Sequence, residues 1–461
     1  MALSAEQLIA RLQALGTASR SELAQVLGVS TPTVYRHLQR AEAAGRVVRF
    51  GRGRATRYAV RAPLFNRRVE ELPLYRVDGA GTIHHLATLA GLANGATLVR
   101  PSTEEAALPR LLRGDSGNGH YDDLPFFLQD LRPQGFLGHQ YAHRVADLPD
   151  NPDRWTASQV GAYLLDHAVD LPGDLLLGDG AVERFRHWSP NQLTPADFPA
   201  EAERVLAGEV PGSSAGGEQP KFPAAVGGRE VLVKFSPAEN DSAAARRQRD
   251  LLVCEHLALA TLAEHGLPVA KSRLHEAGGR LFLESERFDR TAQGGRLPAL
   301  SLWAVDAEFA GAGQGWGRVA AALARQGWLT GADRERIETA EAFADWIENT
   351  DQHLGNITLQ PRPDGRLALA PLYDMVPMRH APRQSEVPPT PEFHPPVSRG
   401  NRTRWAETGA MAADFWRRAG ADERVSEAFR ELAAARHQLI EQAVRQTEEA
   451  APRGTESGPG W

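Results

Sequence analysis

An acid, an amide and a second acid stand late in this chain at a spacing that few folds can use. In the run Asn349-Thr350-Asp351-Gln352-His353-Leu354-Gly355-Asn356, Asp351 lies five residues before Asn356, and a lone aspartate follows in Leu372-Tyr373-Asp374-Met375. Phe343, Trp346 and Ile347 form an apolar helical face that ends at Asn349, so the acid and the amide fall in a polar loop beyond a helix. The strand Ile357-Thr358-Leu359 and a hairpin through Pro363-Asp364-Gly365-Arg366 return the chain to Asp374. A hairpin of that length brings Asp374 alongside Asn356, where both offer oxygen to Mg²⁺, and Asp351 is left to orient and deprotonate a hydroxyl. Such a set implies phosphotransfer from a magnesium nucleotide.

The separation of Asp351 from Asn356 is that of the base aspartate and the metal-binding asparagine in the protein-kinase catalytic loop. Upstream, Gly212-Ser213-Ser214-Ala215-Gly216-Gly217-Glu218-Gln219-Pro220-Lys221 offers closely spaced backbone N–H groups and hydroxyls, with Ser213, Ser214, Gly216, Gly217 and Lys221 as candidate ATP contacts. Glu230-Val231-Leu232-Val233-Lys234-Phe235 then reads as a strand with a lysine inside it, placed to grip the α- and β-phosphates. A cation in an apolar strand needs a partner. The next helix, roughly residues 244 to 265, carries Asp250 and Glu255, and the sequence does not choose between them. His353 suits either a loop-fixing hydrogen bond or proton transfer; no close third His or Cys supports a zinc site.

Charge divides the chain unevenly. Residues 1–60 hold nine arginines, no lysine and three glutamates, which gives +6 against a whole-chain net of −6. Leu8, Ile9, Leu12 and Leu15 predict a first helix; Ser21 can cap a second through Leu27; a third, with Pro32 in its first turn, faces Val34, Leu38 and Ala41 inward. Thr31, Thr33, Tyr35, Arg36, Gln39 and Arg40 would form its outer face. Two short strands then flank Gly51-Arg52-Gly53-Arg54. This order resembles a winged helix-turn-helix domain over residues 5 to 60, with Arg52, Arg54 and Arg57 as a basic tip for duplex DNA. Dimerisation or protein contact is the other use of such a module.

No stretch approaches about 20 uninterrupted apolar residues, and no basic, apolar and small-residue leader opens the chain, so no membrane partner and a cytoplasmic, nucleoid-associated setting are expected. The single cysteine, Cys254, reads as a buried packing residue in a reducing compartment. Residues 61 to 200 carry no chemistry by periodicity and read as scaffold. Trp303 to Gln326, Ala332 to Ile347, Met411 to Ala419 and Val425 to Ala450 read as helices of a large lobe; residues 382–403 form a proline-rich loop and residues 451–461 a disordered tail.

Taken together, the loop from Ser213 to Phe222, Val233-Lys234-Phe235, Glu286-Arg287-Phe288-Asp289-Arg290, Asn349 to Asn356 and Pro371-Leu372-Tyr373-Asp374 resemble the HipA family of serine/threonine kinase toxins over residues 120 to 440. The attached winged helix is similar to its YjjJ-like branch. The resemblance implies an α+β, two-lobed kinase-like fold, divided as a winged domain at 1–60, an N-terminal subdomain with the small lobe at 61–300, and a helical large lobe at 301–450. It implies ATP with Mg²⁺, Asp351 as catalytic base, Asn356 and Asp374 as metal ligands, and Lys234 on the phosphates. Ser213 or Ser214 takes the place of a loop serine that family members autophosphorylate. A protein substrate in translation, such as an aminoacyl-tRNA synthetase, and a homodimer are further expectations of the likeness. The loop itself departs from it, with Gly217 and Glu218 where commoner members have a more compact run, and commoner members depend on a separate DNA-binding antitoxin. Two other functions share the same residues: a DNA-binding regulator whose kinase-like lobe only senses a nucleotide, and a small-molecule kinase. Retention of Lys234, Asp351, Asn356 and Asp374 together argues against the first, since a sensor has no need of a base.

Overall fold

Serine caps start the first helices. Ser4 and Gln7 form a reciprocal capping box at Ala5–Leu15, Ser19 and Glu22 form another at Arg20–Leu27, and Ser30 caps Thr31–Ala43 with Pro32 in the first turn. The second cap is thus Ser19 rather than Ser21: its extended backbone lets its hydroxyl accept from Glu22 N at 3.2 Å while the Glu22 carboxylate accepts from Ser19 N at 2.7 Å. Strands Val47–Phe50 and Arg57–Val60 form the antiparallel wing, and Thr17–Ala18 adds to its far edge. Leu8, Leu12, Leu23, Val34, Leu38 and Tyr58 close a core of their own. Leu15, expected on the apolar face, is instead exposed at the helix end.

The computed structural model describes residues 3–103, 107–143, 145, 148–207, 219–238, 242–383, 386–396 and 402–449. Ser213, Ser214, Gly216 and Gly217 lie outside the described residues, as does the tail 451–461.

The winged module is packed onto the body. Val48, Phe50 and Ala59 on the outer face of the wing meet Ala90, Leu92 and Leu98, and the Phe50 ring stacks on His120 with centroids 5.4 Å apart. Those partners belong to a five-stranded antiparallel sheet built, in spatial order, from His120–Tyr121, Thr97–Pro101, Ile83–Gly91, Glu71–Val77 and Leu175–Leu177.

A second antiparallel sheet follows, ordered Ser272–Ala277, Arg280–Glu286, Arg229–Phe235 and Lys221–Val226. The two-residue period decides its chemistry. Val231, Val233 and Phe235 point to a cluster with Phe198, Phe222 and Phe282, so Lys234 is turned to the opposite face, where helix Ala243–Glu264 lies. Cys254 is buried and unpaired on that helix.

The helical part comprises Trp316–Arg325, Gly331–Trp346, Arg402–Ala421 and Glu427–Glu449, with Trp346, Phe415, Trp416 and Phe429 fully buried between them. The helix expected over residues 303–326 is broken. Leu302–Val305 runs into a π-turn, Asp306–Ala310, and the chain then passes through Gly311, Gly313 and Gly315, all with positive φ, before the helix resumes. Asp306 holds the break by accepting from Ala312 N at 2.8 Å and Gly313 N at 3.0 Å. A small sheet of Leu300–Ser301, Thr358–Pro361 and Leu367–Leu369 carries the segment between the expected catalytic loop and Asp374.

Candidate active site

Lys234 donates to both carboxylate oxygens of Glu255 at 2.7 Å and is also ion-paired with Asp374. Glu255 is therefore its partner on the helix. Asp250, the other candidate, faces away and accepts from Ser426 N at 2.7 Å and Ser426 Oγ at 2.6 Å, which fixes the chain just ahead of helix Glu427–Glu449. Lys234 is 6% exposed. Burial alone would lower its pKa, but Asp374 and Glu255 outweigh that and raise it, so the lysine is charged. Burial likewise pushes the Asp374 carboxyl up, and the charges of Lys234 and Lys221 more than reverse this, holding it well below the usual range. Lys221 stands directly across the ladder from Lys234, on the same face of the sheet. Asp374 adopts φ 53°, a left-handed conformation that costs a non-glycine residue energy and is tolerated where the surroundings demand it.

The loop from Asn349 to Asn356 is held through its backbone. Asp351 N donates to Asn349 Oδ1 at 3.0 Å, and Asn356 Nδ2 donates to Asp351 O at 2.7 Å. Gly355 N donates to His353 Nδ1 at 3.1 Å, so His353 takes the loop-fixing role. Trp316 Nε1 donates to His353 O at 3.0 Å, and Tyr373 OH to Gly355 O at 3.0 Å. With its main chain pinned on both sides, Asp351 keeps its carboxylate more than half exposed, 3.9 Å from His353 Nε2. Asn356 is buried, and with its amide nitrogen committed to Asp351 the oxygen Oδ1 is the atom left for a ligand.

These donors fit a magnesium ion. Asn356 Oδ1 and an ionised Asp374 are hard oxygen ligands, and Mg²⁺ takes only one or two such groups from the protein, the rest coming from water and phosphate.

Several buried groups around the site escape a reading by periodicity. Arg287 and Arg290, in the segment Glu286 to Arg290, share Asp170, with Nη–Oδ1 distances of 2.7 Å each, and also pair with Asp289. Arg290 reaches Glu230 on the lysine strand at 3.1 Å. Burial and the neighbouring Arg290 and Arg287 push the Arg296 pKa down to about 9. Asp170 lies in the segment expected to be scaffold and no local pattern marks it. Glu348, with φ 59°, accepts from His380 Nε2 at 2.8 Å and Arg436 Nε at 2.7 Å directly before the loop. Its only signal in the sequence is its position, an acid closing an apolar helical face.

On the winged module, Thr31, Arg36, Arg40, Arg52 and Arg54 are exposed. Thr33 is engaged with Ser30 at 2.9 Å, and Tyr35 lies under Arg20 and accepts from Gln39 Nε2. Arg57, expected with Arg52 and Arg54, lies on the strand beside the turn. It pairs with Phe50 in the ladder, and its guanidinium reaches Glu22 at 3.2 Å.

Family models agree with this order of parts: a winged helix-turn-helix DNA-binding model matches residues 5–48, a YjjJ-like toxin middle-domain model residues 68–186, and a HipA-like C-terminal domain model residues 213–451. The chain is 34% identical over 460 residues to Toxin YjjJ of Escherichia coli (strain K12), covering 95% of this chain and 97% of that protein. The chain belongs to the HipA-like toxin family, in its YjjJ-like branch. Among solved structures, a complex of Shewanella oneidensis MR-1 HipA with HipB and operator DNA is similar at 15% identity and a TM-score of 0.55, covering 81% of this chain and 98% of that one. At that identity the likeness concerns the fold, which is the two-lobed HipA architecture preceded by a winged helix. In this YjjJ-like chain no helix among the described residues is long and apolar enough to cross a membrane.

Proposed function

We propose that this YjjJ-like protein is an ATP- and Mg²⁺-dependent serine/threonine protein kinase that also binds duplex DNA through its winged helix. The observation that carries this reading is the buried Lys234–Glu255–Asp374 ion cluster, whose Asp374 follows Tyr373, a residue bonded to Gly355 O of the loop that carries Asp351 and Asn356. A sensor would need the cluster but not an exposed carboxylate on a pinned loop.

In this reading Lys234, fixed by Glu255, grips the nucleotide phosphates once Asp374 turns to its metal-holding role. Asn356 and Asp374 would hold Mg²⁺, which when bound would supply positive charge to the transferring phosphoryl group. Asp351 accepts the proton of the incoming hydroxyl, and the hydroxyl oxygen attacks the γ-phosphorus as the bond to ADP breaks. Lys221, whose charge already acts on Asp374, adds to the positive field over the phosphates. Ser213 and Ser214 are the proposed sites of loop autophosphorylation, where added charge would repel the nucleotide. The family's HipA relative was solved with operator DNA, which supports a DNA partner here, met by Thr31, Arg36, Arg40, Arg52 and Arg54. A homodimer and a substrate protein among translation components complete the proposal.

Incubation with γ-labelled ATP and Mg²⁺ tests it, comparing the parent with Asp351→Asn. Label on Ser213 or Ser214 in the parent, lost by about 10²-fold or more in the variant, is the expected result. Equal label in both, or none in either despite nucleotide binding and added lysate, would overturn it.

A further inference from the structure

A groove of ≈ 480 Å³ opens between the middle sheet and the broken helix. One wall carries His120, Asp122 and Asp123; the other carries Trp303 and Glu308, from Leu302–Val305 and the π-turn. Three carboxylates line it, and no lysine or arginine does. Asp122 and Asp123 are exposed, and burial depresses the His120 pKa, so that ring supplies no compensating positive charge at neutral pH. Trp303 is 43% exposed, one of few large apolar side chains that face solvent among the described residues. An indole face beside carboxylates is a site for a guanidinium or ammonium group, which gains from both the ring and the charges.

The wall of the groove that carries Trp303 is also tied to the proposed catalytic loop. Leu302 N, next to Trp303, donates to Ile357 O at 2.8 Å, one residue beyond Asn356. The π-turn that carries Glu308 is locked by Asp306 and leads directly into helix Trp316–Arg325, whose Trp316 holds His353 O. A chain lying in the groove is therefore aligned by the same elements that position Asp351.

Resting on the kinase reading above, we propose that this groove docks a basic, arginine- or lysine-bearing segment of the polypeptide substrate and that Trp303, Asp122, Asp123 and Glu308 select it. Charge complementarity favours this occupant: every acidic or basic side chain of the lining other than the depressed His120 is a carboxylate, which disfavours DNA and acidic segments.

The test uses the full chain without nucleotide, so that it does not depend on phosphotransfer. A fluorescein-labelled peptide with two arginine pairs flanking a serine is titrated by anisotropy beside a glutamate counterpart of equal length. The double variant Asp122→Lys/Asp123→Lys and the single variant Trp303→Ala are each expected to weaken arginine-peptide binding about tenfold. A matched reversal elsewhere, Glu407→Lys/Glu431→Lys on exposed helix positions, is expected to leave it unchanged, as is ATP binding in all variants. Equal affinity for both peptides, or equal weakening in the matched reversal, overturns the groove as a docking site. Autophosphorylation with no peptide selectivity would sink the groove and leave the kinase; peptide selectivity without phosphotransfer would do the reverse.

Discussion

Glu348→Gln isolates what holds the proposed catalytic loop in place. Glu348 sits immediately before Asn349, in a left-handed conformation, with its side chain 8% exposed. Its carboxylate accepts from His380 at 2.8 Å and Arg436 at 2.7 Å, and Arg379 is 3.7 Å away. It thereby ties the start of the loop to the segment beyond Asp374 and to helix Glu427–Glu449. Glutamine keeps one acceptor oxygen but removes the charge, and Arg436, 4% exposed, is left a buried cation with Pro391 O at 2.6 Å. A hydrogen bond to a charged group contributes roughly 1.5–3 kcal/mol and breaking a buried pair costs about 3–5 kcal/mol; with the retained acceptor, a loss of about 3 kcal/mol is expected. That corresponds to a fall of about 6–12 °C in the melting transition of a unit of this size.

The pH dependence has a definite sign. Burial raises the Glu348 pKa, but His380 and Arg436 outweigh it and the carboxyl is held below its ordinary value. A depressed carboxyl stabilises the fold fully above its unfolded pKa of about 4.3, and the contribution is lost as pH falls through the folded value. The gap between parent and variant should therefore be constant from about pH 5 upward and narrow below about pH 4. Calorimetry from about pH 3.5 to 8 spans that window and measures the gap. Phosphotransfer kinetics should show a fall in kcat larger than any rise in KM for the nucleotide, because loop position rather than nucleotide contact is perturbed. A variant as stable as the parent at neutral pH, or a gap that widens in acid, would refute the reasoning.

Lys234→Met should abolish labelled product and weaken Mg–ATP binding at least about tenfold by calorimetric titration, since it removes the buried cation that pairs directly with two carboxylates. Arg52→Ala/Arg54→Ala should lower the slope of log K against log salt for duplex DNA by about 2, roughly one unit for each phosphate left unneutralised, with little change in protein stability. Cys254, fully buried and with its thiol pKa pushed up chiefly by burial, should resist a thiol-reactive dye in the native protein and react once unfolded. Fast native labelling would contradict the packing of helix Ala243–Glu264.

How legible this protein is depends on the range of the interactions concerned. The first helices, the wing, the lysine strand and the hairpin between Asn356 and Asp374 are readable because caps and two- or 3.6-residue periods are local. Even there Ser21 competes with Ser19 as the second cap, and the signal that separates them is the capping box: Glu22 lies three residues after Ser19, whereas Ala24 lies three after Ser21. The helix expected over 303–326 is broken: its apolar spacing continues through Gly311, Gly313 and Gly315, while the chain there takes positive φ values closed by Asp306.

The order of an acid, an amide and a second acid by itself determined the candidate site, with Lys234 and the winged module beside it. Only the tertiary structure decided which groups meet. Asp250 and Glu255 are five residues apart and so point about 140° apart around one helix; packing, not sequence, turned Glu255 to the lysine and Asp250 to Ser426. Asp170 reaches Arg287 across 117 residues of chain, and Trp303 meets the acids of the middle sheet only because the fold sets a π-turn against it. Local pattern specifies what each element can do; long-range burial, which no period records, selects the partner that satisfies each buried charge.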